Sequence, residues 1–260
     1  VTDQSVALEI ERHIATIRLD RADNRNSMTP DLLEGVSNAV AQVRGEADVR
    51  CVVITGSGDT FCGGKDFNSA AAVDESMPAH ERTYAIYSHF LSVLELEVPT
   101  IAAMNGDAVG GGLGLSLVCD IRVANAEAHY GAPFVRVGMH PGMASTLLLP
   151  RFMGVPNATE LLLTGRVVNG AEAQRLGLVN HAVSPDDVLP KAMTIAEEIA
   201  SAAPLAVRWT KRSINDALSA DIKASAYREA MQQSRSTETD DFNEGVRAHL
   251  KGERPDFKGR

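Results

Sequence analysis

Two glycine clusters are the residues in this sequence best suited to chemistry. Phe61-Cys62-Gly63-Gly64-Lys65-Asp66-Phe67 follows the apolar run Cys51-Val52-Val53-Ile54-Thr55. Gly110-Gly111-Gly112 follows a second run, Ile101-Ala102-Ala103-Met104, and opens an apolar helical stretch through Val118. The first N–H groups of a helix have no intrahelical acceptor and carry the positive end of its dipole. Two such groups aimed at one point stabilise an oxyanion, and glycine permits the close approach this needs. Other chemistry finds less support. Residues 58–66 resemble a phosphate loop only faintly, with Asp59 and Gly64 in the wrong slots, and no GxGxxG opens a helix. HExxH, GxSxG and CxxC are absent. Cys51, Cys62 and Cys119 lie far apart without metal-ligand spacing, so no metal site is expected. His140, before Pro141-Gly142, has the residue type whose ordinary pKa of about 6.5 suits proton transfer. The plainer role for it is a histidine hydrogen-bonded within a turn.

The elements that must position these clusters are legible from periodicity. Val6, Leu8 and Ile10, then Ile14, Ile17 and Leu19, alternate as two half-buried strands of a hairpin. Thr29-Pro30-Asp31 supplies a cap, a first-turn proline and an early acid for a helix running to about Gly45. A helix is predicted over 80–96, with Tyr84, Tyr87, Leu91 and Leu94 on one stripe, and a short strand over Ile121-Arg122-Val123-Ala124. Repeated strand–strand–helix units of this kind indicate an α/β or α+β core with right-handed connections. After about Leu189 the pattern is helical alone, over 190–202, 204–218 and 221–250, with a basic tail ending Lys258-Gly259-Arg260. The organisation read from this is a core of 1–189 and a helical segment of 190–260.

Composition narrows the class. Of 260 residues, 34 are acidic and 25 basic, giving a formal charge of −9, the wrong sign for a nucleic-acid partner. No apolar run is long enough to span a bilayer, and Val1 to Glu11 lacks the basic start of a secretory leader. Three sparse cysteines argue against a disulfide framework, and a cytoplasmic setting is expected. With one tryptophan, four tyrosines and seven phenylalanines, the core must be built mainly from Val, Leu, Ile and Ala.

Taken in order along the chain, these segments resemble the enoyl-CoA hydratase/isomerase (crotonase) superfamily. The resemblance rests on Leu19-Asp20-Arg21-Ala22-Asp23 to Met28, Phe61 to Phe67, Pro99-Thr100-Ile101-Ala102-Ala103 through Gly112, and Cys119-Asp120. Further on it rests on Gly138-Met139-His140-Pro141-Gly142, Leu163-Thr164-Gly165 and Ala173 to Val179. It implies a spiral of ββα units with a C-terminal helical region, assembled as trimers or dimers of trimers. It also implies an acyl-CoA thioester as substrate, with no separate cofactor, and a place in fatty-acid metabolism as a lyase or isomerase. Carried over residue by residue, the oxyanion donors are the N–H groups of Lys65 and Gly111. The surrounding ligand contacts are Asn24, Arg25, Gly63, Asp66, Phe67, Gly110, Gly114, Pro133, Phe134, Gly142 and Lys258, the last from a tail that reaches a neighbouring subunit's ligand or is simply solvated.

The same resemblance exposes a departure. The slots that hold the family's two hydratase glutamates are Gly114 and Phe134 here, and the slot of an aspartate used by some isomerases is Gly142. None of these side chains transfers a proton. His140 is the substitute acid/base group the sequence offers, with Lys65, Asp66, Asp107, Tyr84, Tyr87 and His89 as further polar neighbours. The implied function is an acyl-CoA-processing enzyme that stabilises a thioester enolate without the usual glutamates. A non-catalytic acyl-CoA-binding protein on the same fold is the rival. The far end of the acyl pocket falls in the stretch 70–90.

Overall fold

The structure, a computed structural model, describes residues 5–67 and 76–260. Residues 1–4 of the amino-terminal stretch and 70–75 of the expected acyl-chain end lie outside the described residues. Strands β1 (Val6–Glu11) and β2 (Ile14–Leu19) form the antiparallel hairpin expected, closed by Arg12 and His13 at positive φ. Helix α1 (Pro30–Gly45) starts where Thr29 Oγ1 accepts the Leu32 N–H. Three strand pairs then build the body: β3 (Cys51–Gly56) with β4 (Thr60–Cys62), β5 (Thr100–Met104) with β6 (Asp107–Val109), and β7 (Ile121–Asn125) with β8 (His129–Gly131). Helix α2 (Ala79–Leu91) lies between the first two pairs and α3 (Gly111–Leu117) between the last two. The helix read over 80–96 ends at Leu91 and tightens into a 3-10 turn over Ser92–Glu95.

In each pair the first strand joins one sheet and the second turns away into another. With β9 (Val167–Asn169) and β10 (His181–Val183) added, the six-stranded sheet has the order β1-β2-β3-β5-β7-β10, and the four-stranded sheet β4-β6-β8-β9. This is the ββα spiral, a mixed α/β fold. The short strands of the second sheet carry only three residues each, too few to show a period, which is why the sequence did not announce them. The remaining elements are α4 (Ser145–Met153), α5 (Val155–Thr164), α6 (Gly170–Arg175), α7 (Val188–Ser201), α8 (Pro204–Ser236) and α9 (Asp240–Lys251).

Strands β3, β5 and β7 pair in parallel between the two layers of packing, so β3 and β5 read as continuous apolar runs rather than alternations, while β7 carries the buried Arg122. Cys51, Val53, Ile101, Ala103 and Val123 face α7, whose Val188, Ala192, Ala196 and Ala200 form one i, i+4 row of mostly small residues. Val52, Ile54, Ala102, Met104 and Ala124 face the main core with α1, α2 and α3. All three cysteines are free and buried, with their thiols pushed up to about 12, chiefly by burial.

The C-terminal helices divide differently from the sequence reading. One helix, α8, runs from Pro204 to Ser236, through the expected break near 219–221, and the chain turns at 237–239 instead. No glycine or proline interrupts 219–221, and Ile222, Ala226 and Ala230 continue one buried stripe, so packing carries the helix past a local cap signal. Thr239 makes the new start, its Oγ1 accepting the Phe242 N–H, with Asp240 and Asp241 in the first turn.

Helix α8 is tied to the sheet by a nearly buried ion pair. Lys211 Nζ lies 2.8 Å from Asp120 Oδ2, and Asp120 also accepts from the Thr100 N–H, the Thr100 hydroxyl and the Asn215 amide. Asp120→Ala leaves that ammonium without its counter-charge and should cost roughly 3 kcal/mol of stability, read by urea denaturation. Lys211→Met, which keeps the packing, should cost less; the reverse order would show that the pair does not carry this junction.

Candidate active site

The two glycine clusters meet because β4 and β6 are parallel neighbours, with Thr60 opposite Asp107 and Cys62 opposite Ala108. The segments leaving them, 63–67 and 110–112, therefore emerge side by side. Gly64 has φ +80°, and a Cβ there would lie 2.5 Å from the Val109 carbonyl oxygen and 3.3 Å from the Gly111 nitrogen. Gly110, with φ 57° and ψ −117°, redirects the chain into α3 and donates its N–H to the Gly131 carbonyl. Both positions need a residue without a Cβ, one for space and one for backbone conformation.

Among the described residues, the N–H groups of Lys65 and Gly111 have no acceptor. The flanking amides are occupied: Gly63 donates to the Arg25 carbonyl at 2.9 Å, and the Gly64 carbonyl accepts from Met28 at 2.8 Å. Helix α3 has seven residues, so its contribution is mainly the free first N–H rather than an extended dipole. The walls are apolar. Met28 Sδ fills the space where a side chain at 111 would begin, and the Phe134 ring lies 3.7 Å from the Cβ position of Gly110.

Gly114 packs against Met143, whose Cβ would overlap any side chain at 114. At Gly142 the Tyr87 hydroxyl occupies the space where a side chain would begin. Pro133 opens the 3-10 turn Pro133–Val137 that carries Phe134. Asp66 and Phe67 continue the Lys65 loop and are half-buried. Asn24 is spent on its own turn, accepting from the Ser27 hydroxyl and N–H. The Arg25 carbonyl supports Gly63, while its guanidinium turns to Asp107 at 3.2 Å. That pair lines a polar cleft of about 460 Å³ with Asp59, Asn125, Glu127 and His129. Lys258 pairs with Asp256 at 2.6 Å in its own tail, whose backbone docks on Asp241. His89 faces Ser37 on α1, and burial lowers its pKa. Among the described residues, no group of His, Cys, Asp and Glu is placed to hold a metal, and no helix is long and apolar enough to cross a membrane.

His140 sits on a turn clamped by α8. Its N–H donates to Ser236 Oγ at 3.0 Å, and its carbonyl accepts from Gln233 Nε2 at 2.8 Å. Its Nδ1 lies 2.6 Å from the Pro141 carbonyl oxygen, which can only accept, so the proton of the neutral ring belongs on that nitrogen.

The sequence did not single out the carboxylate of Glu229. It is 2% exposed on α8, and its Oε1 accepts from the Thr146 N–H at 2.8 Å and from the Thr146 hydroxyl. Its Oε2 and the Ser145 hydroxyl are buried without hydrogen-bond partners among the described residues. The turn it grips holds Met143 and Ala144 at φ 63° and 56°, two successive non-glycine residues in the left-handed region. Helical periodicity marks position 229 as part of the buried stripe, but nothing local reveals that a distant turn supplies its donors.

With this geometry in view, the comparisons with known proteins are specific. Residues 9–260 match the family model described as enoyl-CoA hydratase/isomerase. The chain belongs to that family. It is 36% identical over 255 residues to the crotonyl-CoA hydratase of Syntrophomonas wolfei subsp. wolfei, covering 98% of both chains. It is 35% identical over 256 residues to the (E)-benzylidenesuccinyl-CoA hydratase of Thauera aromatica, covering 98% of this chain and 99% of that one. Among solved structures, the carnitinyl-CoA hydratase from Mycobacterium avium superposes with a TM-score of 0.89 at 29% identity over the whole of both chains. These relatives fix the family and fold.

Burial pushes the Glu229 carboxyl up to about 7, against the lowering effect of the Thr146 hydroxyl and the turn's N–H groups. An acid with a raised folded pKa holds more protons when folded than unfolded between its ordinary value and about 7. Its contribution to stability therefore falls as pH rises through that window. Chemical denaturation from pH 5 to 8 should show the wild type losing about 3 kcal/mol relative to Glu229→Gln. Parallel pH profiles for the two proteins would reject a raised carboxyl at this position.

Proposed function

We propose that this protein binds acyl-CoA thioesters and stabilises negative charge on the thioester oxygen between the N–H groups of Lys65 and Gly111. The observation that carries this reading is the pair of N–H groups, without acceptors among the described residues, on the segments that β4 and β6 bring side by side. Two preorganised donors of this kind are worth about 3–4 kcal/mol each in barrier reduction, because they strengthen as the carbonyl becomes an enolate.

The reaction this supports is an isomerisation or a carbon–carbon cleavage through an enolate, with ordinary hydration disfavoured. Water addition needs one group to take a proton and another to deliver one. Position 114 has no side chain and is closed by Met143, position 134 presents a phenyl ring, and position 142 is filled by the Tyr87 hydroxyl. His140 is the proposed proton-transfer group, its Nε2 left as acceptor by the bond from Nδ1 to Pro141. His140→Ala should abolish turnover while leaving product-analogue affinity nearly unchanged.

Calorimetry with acetyl-CoA and longer thioesters should give micromolar affinities. A conjugated dienoyl-CoA should shift its absorbance to the red on binding, as the carbonyl is polarised by the two N–H groups. Hydration of crotonyl-CoA should be very slow, since each positioned acid/base group is worth roughly 10²–10⁴-fold. The names of the relatives make hydration the rival outcome. Hydratase turnover at ordinary enzymatic rates would refute the reaction class, and absence of both binding and red shift would refute the site.

We also propose a homo-oligomer, a trimer or a dimer of trimers. Leu205, Trp209 and Ile214 on α8 are 57%, 63% and 63% exposed, more large apolar surface on one helix than a solvated face needs. Light scattering should give a mass of three or six chains, and a monomer across working concentrations would sink this assembly.

A further inference from the structure

Lys65 offers a ligand two separate groups, a main-chain N–H and an ammonium. The ammonium lies 5.6 Å from the Phe67 ring centroid and 5.8 Å from that of Phe242, so the glycine loop and α9 flank it from two sides. Phe67 is itself fixed edge-on to His249, two turns further along α9, at 5.7 Å. Nearby cations are paired, Arg25 with Asp107, Arg247 with Glu244 and Glu253, and Lys258 with Asp256, whereas Lys251 at the end of α9 is exposed without an ion pair among the described residues. Lys65 has neither an ion-pair partner nor a hydrogen-bond acceptor among the described residues. Its residue is exposed as a whole, yet loss of water around the ammonium lowers its pKa. A cation in that state, held near aromatic faces without an anion, is a receptor for anionic oxygen.

We propose that the Lys65 ammonium is the subsite for a carboxylate carried by the acyl group, so that the preferred ligands are CoA thioesters of dicarboxylic acids. This rests on the acyl-CoA reading above. The ammonium of an extended lysine stands roughly 6 Å from its own backbone nitrogen. A thioester oxygen on the Lys65 N–H therefore has its partner charge a few carbons away. On the acyl side, a carboxylate at the end of a short chain meets that distance. On the CoA side, the cysteamine and amide groups nearby are neutral, and the phosphates begin only at the far end of the pantetheine arm. The flanking rings restrict water around the pair, which strengthens a charge-assisted hydrogen bond.

The experiment compares butyryl-CoA with glutaryl-CoA, and each with its 3′-dephospho form, by calorimetry on the full chain. The wild type should bind glutaryl-CoA about tenfold more tightly than butyryl-CoA, the gain of one good charge pair. The preference should be the same without the 3′-phosphate and should shrink as salt is raised. Lys65→Met, which keeps the N–H, should bring the ratio to about one, and Lys65→Arg should retain a preference for glutaryl-CoA. Equal affinities in the wild type, or an undiminished ratio in folded Lys65→Met, overturns the subsite. Weakening of both thioesters alike in Lys65→Met, but not of their dephospho forms, assigns the ammonium to a CoA phosphate and also overturns it. If Lys65→Met fails to fold, the wild-type ratio and its salt dependence decide. Failure of butyryl-CoA and every other thioester to bind overturns the acyl-CoA reading and this subsite together. Binding of butyryl-CoA with no preference for glutaryl-CoA overturns the subsite alone.

Discussion

The parallel pairing of β4 with β6 is the constraint on which the rest depends. Each strand is three residues long and contributes little stability alone. Together they set two outgoing segments side by side, close enough that a methyl group at Gly64 would strike the Val109 carbonyl. Everything placed around the site answers to that contact: Met28 closes over Gly111, Phe134 approaches Gly110, and the Arg25 carbonyl holds Gly63. The large sheet supplies rigidity, since β3 and β5, which feed β4 and β6, are buried on both faces and held in register by parallel hydrogen bonding. Electrostatic preorganisation needs such a scaffold, because donors that relax toward each other or toward solvent lose their advantage over water.

A second constraint acts from the C-terminal side. Helix α8 carries Glu229, Gln233 and Ser236 on one face, and all three bond to the turn 140–146. Tyr87 joins them through its hydroxyl, which donates to Gln233 Oε1 at 2.7 Å. The turn includes successive left-handed non-glycine residues, a conformation that persists only where surrounding contacts over-determine it. The clamp presses Met143 against Gly114 and closes the space that a proton-transferring side chain there would use. The lack of a side chain at position 114 and the close packing of Met143 are therefore one feature. Replacing a glycine alone does not restore a carboxylate where a methionine already stands.

Much of this was legible beforehand, for identifiable reasons. The hairpin, α1 and the strands β3 and β5 have strong local signals: alternation over six residues, a threonine cap followed by proline, and short apolar runs, β-branched in β3. The glycine clusters were visible because few positions need a missing Cβ twice in succession. Less was legible where the signal is distributed. The second sheet has strands too short to show a period, and α8 passes through Ser219-Ala220-Asp221 because buried residues on either side favour continuity. Asp120 looked like part of a motif, yet its role as the anchor of Lys211 and Asn215 depends on side chains more than ninety residues away in the chain.

By itself the sequence determined the class of fold, the order of its core units, the two backbone donors to suspect and the absence of side-chain acids at 114, 134 and 142. The fold class and the order of the units follow from residue type and near-neighbour spacing, which are local; the donors Lys65 and Gly111 and the acid slots at 114, 134 and 142 are what the family resemblance of those motifs implies. Only the tertiary structure decided that the Lys65 and Gly111 amides lie close together without acceptors among the described residues, that Arg25 pairs with Asp107, and that His140 is gripped by α8. The pairing of Lys65 with two aromatic rings was likewise hidden, because Phe242 reaches it from the far end of the chain. Hydrogen-bond partners and free valences depend on distances between segments remote in sequence. Those distances are set only when the two sheets and the C-terminal helices close on one another.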